Sequence, residues 1–242
     1  MNGISRRVVR TIGTLMVIAG TLLLAWALLV WRWQDPFTAL YTGWQQRELA
    51  DEYEQRFERF RPPAPVSQKP ISPQRIAALA RRYRLSLREG DAIGRIKIPR
   101  LDVNMIVVDG TKTNTLKKGP ARHRRTFVPG EGKLVYIAGH RTTYSAPFSD
   151  IDDLRRGDRV RLELPYGTFE YRIRGHRIVE AHEVSVLRSR QREEVALQAC
   201  WPRFFASHRY IAYAQPVRVI PRSGSPYNYL GDELSATAAK RR

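Results

Sequence analysis

Hydrophobic and polar positions divide the chain into distinct textures. The run TIGTLMVIAGTLLLAWALLVW, residues 11–31, carries no charge. About 20 apolar residues let a helix cross a bilayer, so this run predicts a transmembrane segment. Between residues 38 and 60, charged and apolar groups alternate at helical spacing. Leu49, Tyr53, Phe57 and Phe60 recur every three or four positions and form one stripe. RPPAPVSQKP, residues 61–70, has no period and reads as a semi-rigid extended spacer. In SPQRIAALARRYR, Ser72 is the expected N-cap and Pro73 the first helical residue. Ile76, Leu79 and Ala80 make that helix's apolar face.

From Ala92 onward the texture changes to strands, and in AIGRIKIP Ile93, Ile96 and Ile98 stand around Arg95 and Lys97. AIGRIKIP, VNMIVVDG, KLVYIAG, DRVRLELP, TFEYRIRGHRIVE, EVALQAC and RYIAYAQPVRVI follow one another, most separated by Gly, Pro or Asp. Many short strands with little helix between them predict a mainly β fold, a barrel or sandwich. A hairpin turn is expected at Tyr166–Gly167. The implied organisation is a cytoplasmic N-terminus (1–10), a transmembrane signal-anchor (11–31), and a juxtamembrane helical stalk with Pro-rich linker and short helix (32–89). A β domain (90–222) and a flexible basic tail (223–242) complete it. The stalk's stripe either self-associates or, more simply, packs on the β domain.

Charge predicts orientation. Arg6, Arg7 and Arg10 precede the apolar run, which places the N-terminus inside and the rest outside a cell membrane crossed once. A cleavable signal peptide is the rival, but its apolar core would be shorter, about 7–15 residues. The formal net charge of +19 over 242 residues favours anionic partners. Export turns that preference from nucleic acid towards anionic lipid and wall polymer. Hydrophobic residues make up 43% of the chain, enough for one proper core.

The single cysteine, Cys200, has no intramolecular disulfide partner. A lone Cys is ordinarily a small buried hydrophobe. Cys200, however, ends one strand pattern, and Arg209 begins the next. If these strands are antiparallel neighbours, both residues lie at one rim. A cysteine nucleophile needs a proton manager and a charge stabiliser. Five histidines are candidates for the first role: His123, His140, His176, His182 and His208. His140 is singled out by following an apolar strand and opening a polar loop, without excluding the others. Arg209, always protonated, suits the second role, with a surface ion pair as the alternative. No metal site is apparent, because the carboxylates of SDIDD (149–153) lack the spacing of a calcium loop.

Two segments carry a resemblance. IAGHRTTYSAPFSDIDDLRRGD (137–158) and LQACWPRFFASHRYIAYA (197–214) resemble the signature regions of sortases, and GDAIGRIKIPRLDVNMIVVDG (90–110) is similar to that family's first strands. The likeness runs from about Gly90 to Val219. It is nearest the class E group, whose histidine segment commonly reads His-Arg-Thr-Thr-Tyr-Gly-Ala-Pro-Phe. The resemblance implies an eight-stranded sortase-type β-barrel with short helices. It also implies a cysteine transpeptidase without a cofactor. Cys200 would attack the Thr–Gly carbonyl of a sorting signal, His140 would move the protons, and Arg209 would hold substrate and oxyanion. The implied partners are secreted proteins bearing the signal and a cell-wall or pilin amine, with no nucleic acid. Thr142, Thr143, Tyr144, Ala199 and Trp201 are the implied substrate-binding positions. Tyr144 matches a class E feature associated with Ala at the second signal position, so Leu-Ala-x-Thr-Gly is plausible beside Leu-Pro-x-Thr-Gly.

One departure stands out. The family usually has Thr directly before the cysteine, and Ala199 replaces it here. That keeps alive a catalytically weak or inactive, membrane-anchored wall-binding protein. Another exported cysteine enzyme, such as a peptidoglycan peptidase, would need different neighbours around Cys200.

Overall fold

The computed structural model describes residues 3–33, 36–60 and 72–229. Helix α1 spans Gly3–Trp33, α2 spans Pro36–Arg59 and α3 spans Pro73–Ser86. A four-residue helix, α4, covers Thr113–Leu116. The strands are β1 (Ala92–Ile98), β2 (Val103–Asp109), β3 (Ala121–Arg122), β4 (Leu134–Ala138), β5 (Arg159–Leu164), β6 (Gly167–Glu180), β7 (Glu194–Trp201), β8 (His208–Pro221) and β9 (Tyr227–Asn228). The expected linker at 61–70 and the tail beyond residue 229 lie outside the described residues.

The sheet runs β6-β5-β1-β2-β3-β4-β7-β8, and pairing of β6 with β8 closes it into an eight-stranded barrel. Closure abolishes the free edges of an open sheet. β9 adds to β8, with Tyr227 opposite Val219. Its position inside the segment expected to be a flexible tail corrects that expectation, because a backbone ladder orders Tyr227 and Asn228. The β5–β6 turn is also one residue earlier than expected. Leu164 pairs with Gly167, leaving Pro165 and Tyr166 as the loop. Gly167 already belongs to the ladder, where a Cβ would meet the Ile220 carbonyl oxygen at 3.0 Å.

The barrel core includes Ile96, Ile98, Val135, Ile137, Val160, Phe169, Tyr171, Leu197 and Tyr210. α3 caps it with Ile76, Leu79, Ala80 and Tyr83, and the Tyr83 hydroxyl donates to the Ile93 carbonyl at 2.9 Å. Ser72 accepts from the Arg75 amide at 3.3 Å, the expected cap.

α2 lies along the barrel. Leu49 and Tyr53 bury against Ala92, Ile106, Val108 and Ala121, so the stripe's function is packing on the β domain. The reason lies in β3. With only two residues, β3 pairs only Val108 and Asp109 of β2. The β2 edge at Ile106 would otherwise bury an unpaired amide and carbonyl. Gln46 fills it: its Oε1 accepts from Ile106 N at 2.6 Å, and its Nε2 donates to Ile106 O at 3.0 Å and Lys118 O at 2.8 Å. Nearer the helix C-terminus, Glu52 accepts from Ala92 N and Arg56 pairs with Asp91. α1 contains a stretch, Arg6–Leu28, long and apolar enough to cross a membrane.

Candidate active site

Alternation in β7 sorts its side chains between two faces. Val195, Leu197 and Ala199 face the barrel core with Tyr210, Ala212 and Ala214. Ala196 faces the other way, with Tyr136 and Ile211, and Gln198 and Cys200 share its side of the strand. Antiparallel pairing sets Cys200 directly opposite Arg209. Both side chains therefore leave the same face of the sheet at one rim, as the strand pattern predicted. Cys200 is half-buried and free.

β4 supplies the histidine. It runs parallel to β7, with Ala138 opposite Gln198. The Gly139 amide extends the ladder by donating to the Gln198 carbonyl at 2.9 Å. His140 and Cys200 thus lie equally far past the last strand pair, at the same end of the barrel. Gly139 is required there, because a Cβ would fall 2.5 Å from the Phe148 ring. Phe148 is fully buried beneath the loop, and its amide donates to the His140 carbonyl at 3.2 Å.

The other histidines lie elsewhere or face other partners. His123 meets the edge of Tyr136 at 6.4 Å, and His176 stacks on Tyr210 at 4.8 Å. His182 occupies the turn after β6. His208 adjoins the site in sequence, but its ring contacts Ser207 Oγ at 2.9 Å and Glu180 at 3.2 Å.

Burial pushes the His140 imidazole below its ordinary pKa, and the nearby Lys117 ammonium adds to the effect. Its Nε2 is buried and has no hydrogen-bond partner among the described residues. A neutral ring with an open nitrogen can accept a proton from a thiol. Arg209 donates from one terminal nitrogen to the Ala206 and His208 carbonyls, both at 2.8 Å. Among the described residues it forms no ion pair, so its charge is not spent on a carboxylate.

The Sortase domain family matches residues 96–217, half of the chain. The chain belongs to the sortase family. Sortase D of Bacillus subtilis is 33% identical over 132 residues, 53% of this chain and 65% of that protein. The chain thus spans just under two thirds of that relative's length. A solved sortase E from Streptomyces avermitilis superposes with a TM-score of 0.50 at 32% identity, covering 56% of this chain and 93% of that one. A Clostridium perfringens sortase D5 transpeptidase shares the fold, with a TM-score of 0.57 at 21% identity over 72% of this chain and 98% of that one.

Within this sortase fold the remaining signature residues are distributed unevenly. Thr142, Thr143 and Tyr144 lie half-buried on the loop that His140 opens. The Tyr144 ring packs 5.0 Å from the His140 ring. Trp201 is wedged at the rim between Arg141, 4.5 Å from its ring centre, and Tyr210 at 5.6 Å. Ala199 is different: it is 0% exposed and faces the core, away from Cys200. Its side chain cannot line a surface open to a peptide, which corrects the expectation that it touches substrate. Alternation along β7 was the signal that could have shown this.

Arg141 is the residue that sequence reasoning passed over. Its buried guanidinium donates to the Ser149 carbonyl at 3.1 Å and the Cys200 carbonyl at 3.3 Å, and pairs with Asp152. It therefore ties the histidine loop to the cysteine strand. It stands in the histidine segment that resembles the family's, but no feature of the sequence assigned it a role of its own among 42 basic residues.

Proposed function

We propose that this sortase is a membrane-anchored cysteine transpeptidase of class E type. It acts on secreted proteins with a Leu-Ala-x-Thr-Gly or Leu-Pro-x-Thr-Gly sorting signal and joins them to a cell-wall or pilin amine. The observation that carries this reading is the convergence of Cys200, Arg209 and His140 at one barrel rim. It rests on two ladders, Cys200 opposite Arg209 and Ala138 opposite Gln198.

The chemistry follows from those three groups. His140 accepts the Cys200 thiol proton as sulfur attacks the Thr carbonyl carbon. The Arg209 fork stabilises the oxyanion that forms. The Thr–Gly C–N bond breaks, and the leaving amine takes the proton from His140, giving a thioester on Cys200. An incoming amine attacks that carbonyl and gives its proton to His140. Collapse expels the sulfur, which regains a proton, and the chain ends in a new amide. Tyr144, Thr142, Thr143 and Trp201 surround this rim and would contact the signal. The apolar helix and its leading arginines support a single pass, with the N-terminus cytoplasmic and the barrel outside.

The test is ligation. Full-length protein in detergent micelles, given both peptide types and an amine acceptor, is expected to form product at the Thr–Gly bond. The Ala-containing signal should be favoured. Absence of product across the whole peptide panel would refute the reading.

A further inference from the structure

Three consecutive non-glycine residues of the histidine loop have left-handed backbone conformations: Tyr144 (φ 53°), Ser145 (φ 58°) and Ala146 (φ 35°). Each such residue is disfavoured by roughly 1–3 kcal/mol and persists only where its surroundings over-determine it. Local bonds supply part of the restraint, with Ala146 N donating to Thr143 O and Ser149 N to Ala146 O, both at 2.9 Å. Much of the rest comes from α2. The Tyr144 amide donates to Thr38 Oγ1 at 2.9 Å, and the Ser145 hydroxyl donates to the Ala39 carbonyl at 3.3 Å. Tyr41 meets the Tyr144 ring edge-on at 6.3 Å, while Lys117 lies 5.7 Å from the centre of that ring. Thr42, one turn further, fixes Lys117 by donating to its carbonyl at 3.0 Å. Tyr144 in turn packs on His140. The α2 contacts therefore fall on the strained residues, one side chain away from the imidazole.

We propose that the first two turns of α2 are a positioning element for His140, with Thr38 as its principal hydroxyl clasp and Tyr41 as its ring contact. Docking of α2 holds the 143–146 loop in its left-handed form, which seats Tyr144 against the imidazole and keeps the ring buried. The same turns adjoin the anchor: α2 begins three residues after α1 ends, and Phe37 packs on Trp26 of α1 at 5.5 Å. The site's proton-transfer group is thereby set by the segment that leaves the membrane. This assignment rests on the ligation reading above for its catalytic consequence, but its structural content stands apart from it.

The experiment compares full-length wild type with T38V, T38S and Y41A, by hydrogen exchange of the loop amides and by peptide ligation kinetics. Valine keeps Thr38's shape and removes the acceptor of the Tyr144 amide. Loss of one hydrogen bond corresponds to roughly tenfold faster Tyr144 exchange. The kcat for ligation should fall by about the same factor with KM little changed. T38S, which retains the hydroxyl, should match wild type in both readouts. Y41A should accelerate exchange across 143–146. Exchange and kcat within twofold of wild type in T38V would overturn the proposal, as would T38S falling as far as T38V. If wild type ligates no peptide, the ligation reading fails, and the exchange of T38V against T38S still decides whether α2 holds the loop.

Discussion

Arg141→Lys is the substitution that most directly probes how the rim is held. It keeps the charge and replaces a planar fork with a point donor. The guanidinium serves three acceptors in different directions: the Ser149 carbonyl at 3.1 Å, the Cys200 carbonyl at 3.3 Å and the Asp152 carboxylate. A lysine ammonium cannot reach all three, so two bonds are expected to be lost. Bonds from a charged donor contribute about 1.5–3 kcal/mol each. The Cys200 contact is long, and the Asp152 side chain is 36% exposed, so both count at the low end. Contact with the Trp201 face, 4.5 Å away, weakens as well. The net expectation is a loss of about 2–4 kcal/mol. For a chain of this size that lowers the unfolding midpoint by about 4–16 °C. Ligation should suffer separately, because the Cys200 carbonyl loses its tether to the histidine loop. A displacement of about 1 Å at a reacting group can lower the rate about 100-fold. Tryptophan fluorescence on heating in micelles and kcat/KM for peptide ligation measure the two effects. An R141K protein that unfolds within 1–2 °C of wild type (a loss of under roughly 1 kcal/mol) and ligates within twofold would refute this reasoning.

Other expectations follow from buried groups. Arg122 and Asp109 form an ion pair sealed from solvent, so Arg122→Met strands a carboxylate that, among the described residues, retains only Arg124 as an ionic partner. It should destabilise by about 3 kcal/mol, read from denaturant midpoints, and R122M/D109L should recover most of the loss. Glu193 is buried beside the Tyr171 hydroxyl and the Gly130 and Gly132 amides, and burial raises its pKa above the ordinary 4.5. The folded state therefore binds this proton more tightly than the unfolded chain. The associated stability is fully present below pH 4.5 and is lost as pH rises through the folded-state value. Glu193→Gln should flatten that decline in midpoints measured from pH 4.5 upward, and an unchanged slope would exclude Glu193 as its source. Gly139→Ala drives a Cβ into the Phe148 ring and should destabilise by about 1–3 kcal/mol, while shifting the His140 resonances in NMR spectra.

Much of this architecture could be read from the chain, and what could not has physical causes. The longer strands announced themselves as short strand-like runs punctuated by Gly, Pro or Asp, and the Ser72–Pro73 helix start by its cap. β3 and β9 did not, because two residues carry no period; they are strands only through their partners. Closure of the barrel by β6 and β8 is a long-range event with no local signature. The stripe Leu49, Tyr53 was legible, but nothing in the sequence marked Gln46. Its role depends on an unpaired β2 edge that only the assembled sheet creates. In the site, the strand pattern put Cys200 and Arg209 at one rim and singled out His140 separately. Bringing His140 to that rim needed the parallel register of β4 on β7. The α2 contacts to Tyr144 were beyond reach, since they join residues more than a hundred positions apart.

The central claim is that Cys200 is acylated by the signal at threonine. Intact-mass spectrometry of the full-length protein, incubated with a Leu-Ala-x-Thr-Gly peptide and no amine acceptor, tests it most directly. The expected result is an adduct equal to the peptide fragment ending at threonine, mapped to Cys200, discharged by added amine and absent in C200A. An adduct on another residue, or none while the peptide is still cleaved, would contradict the account.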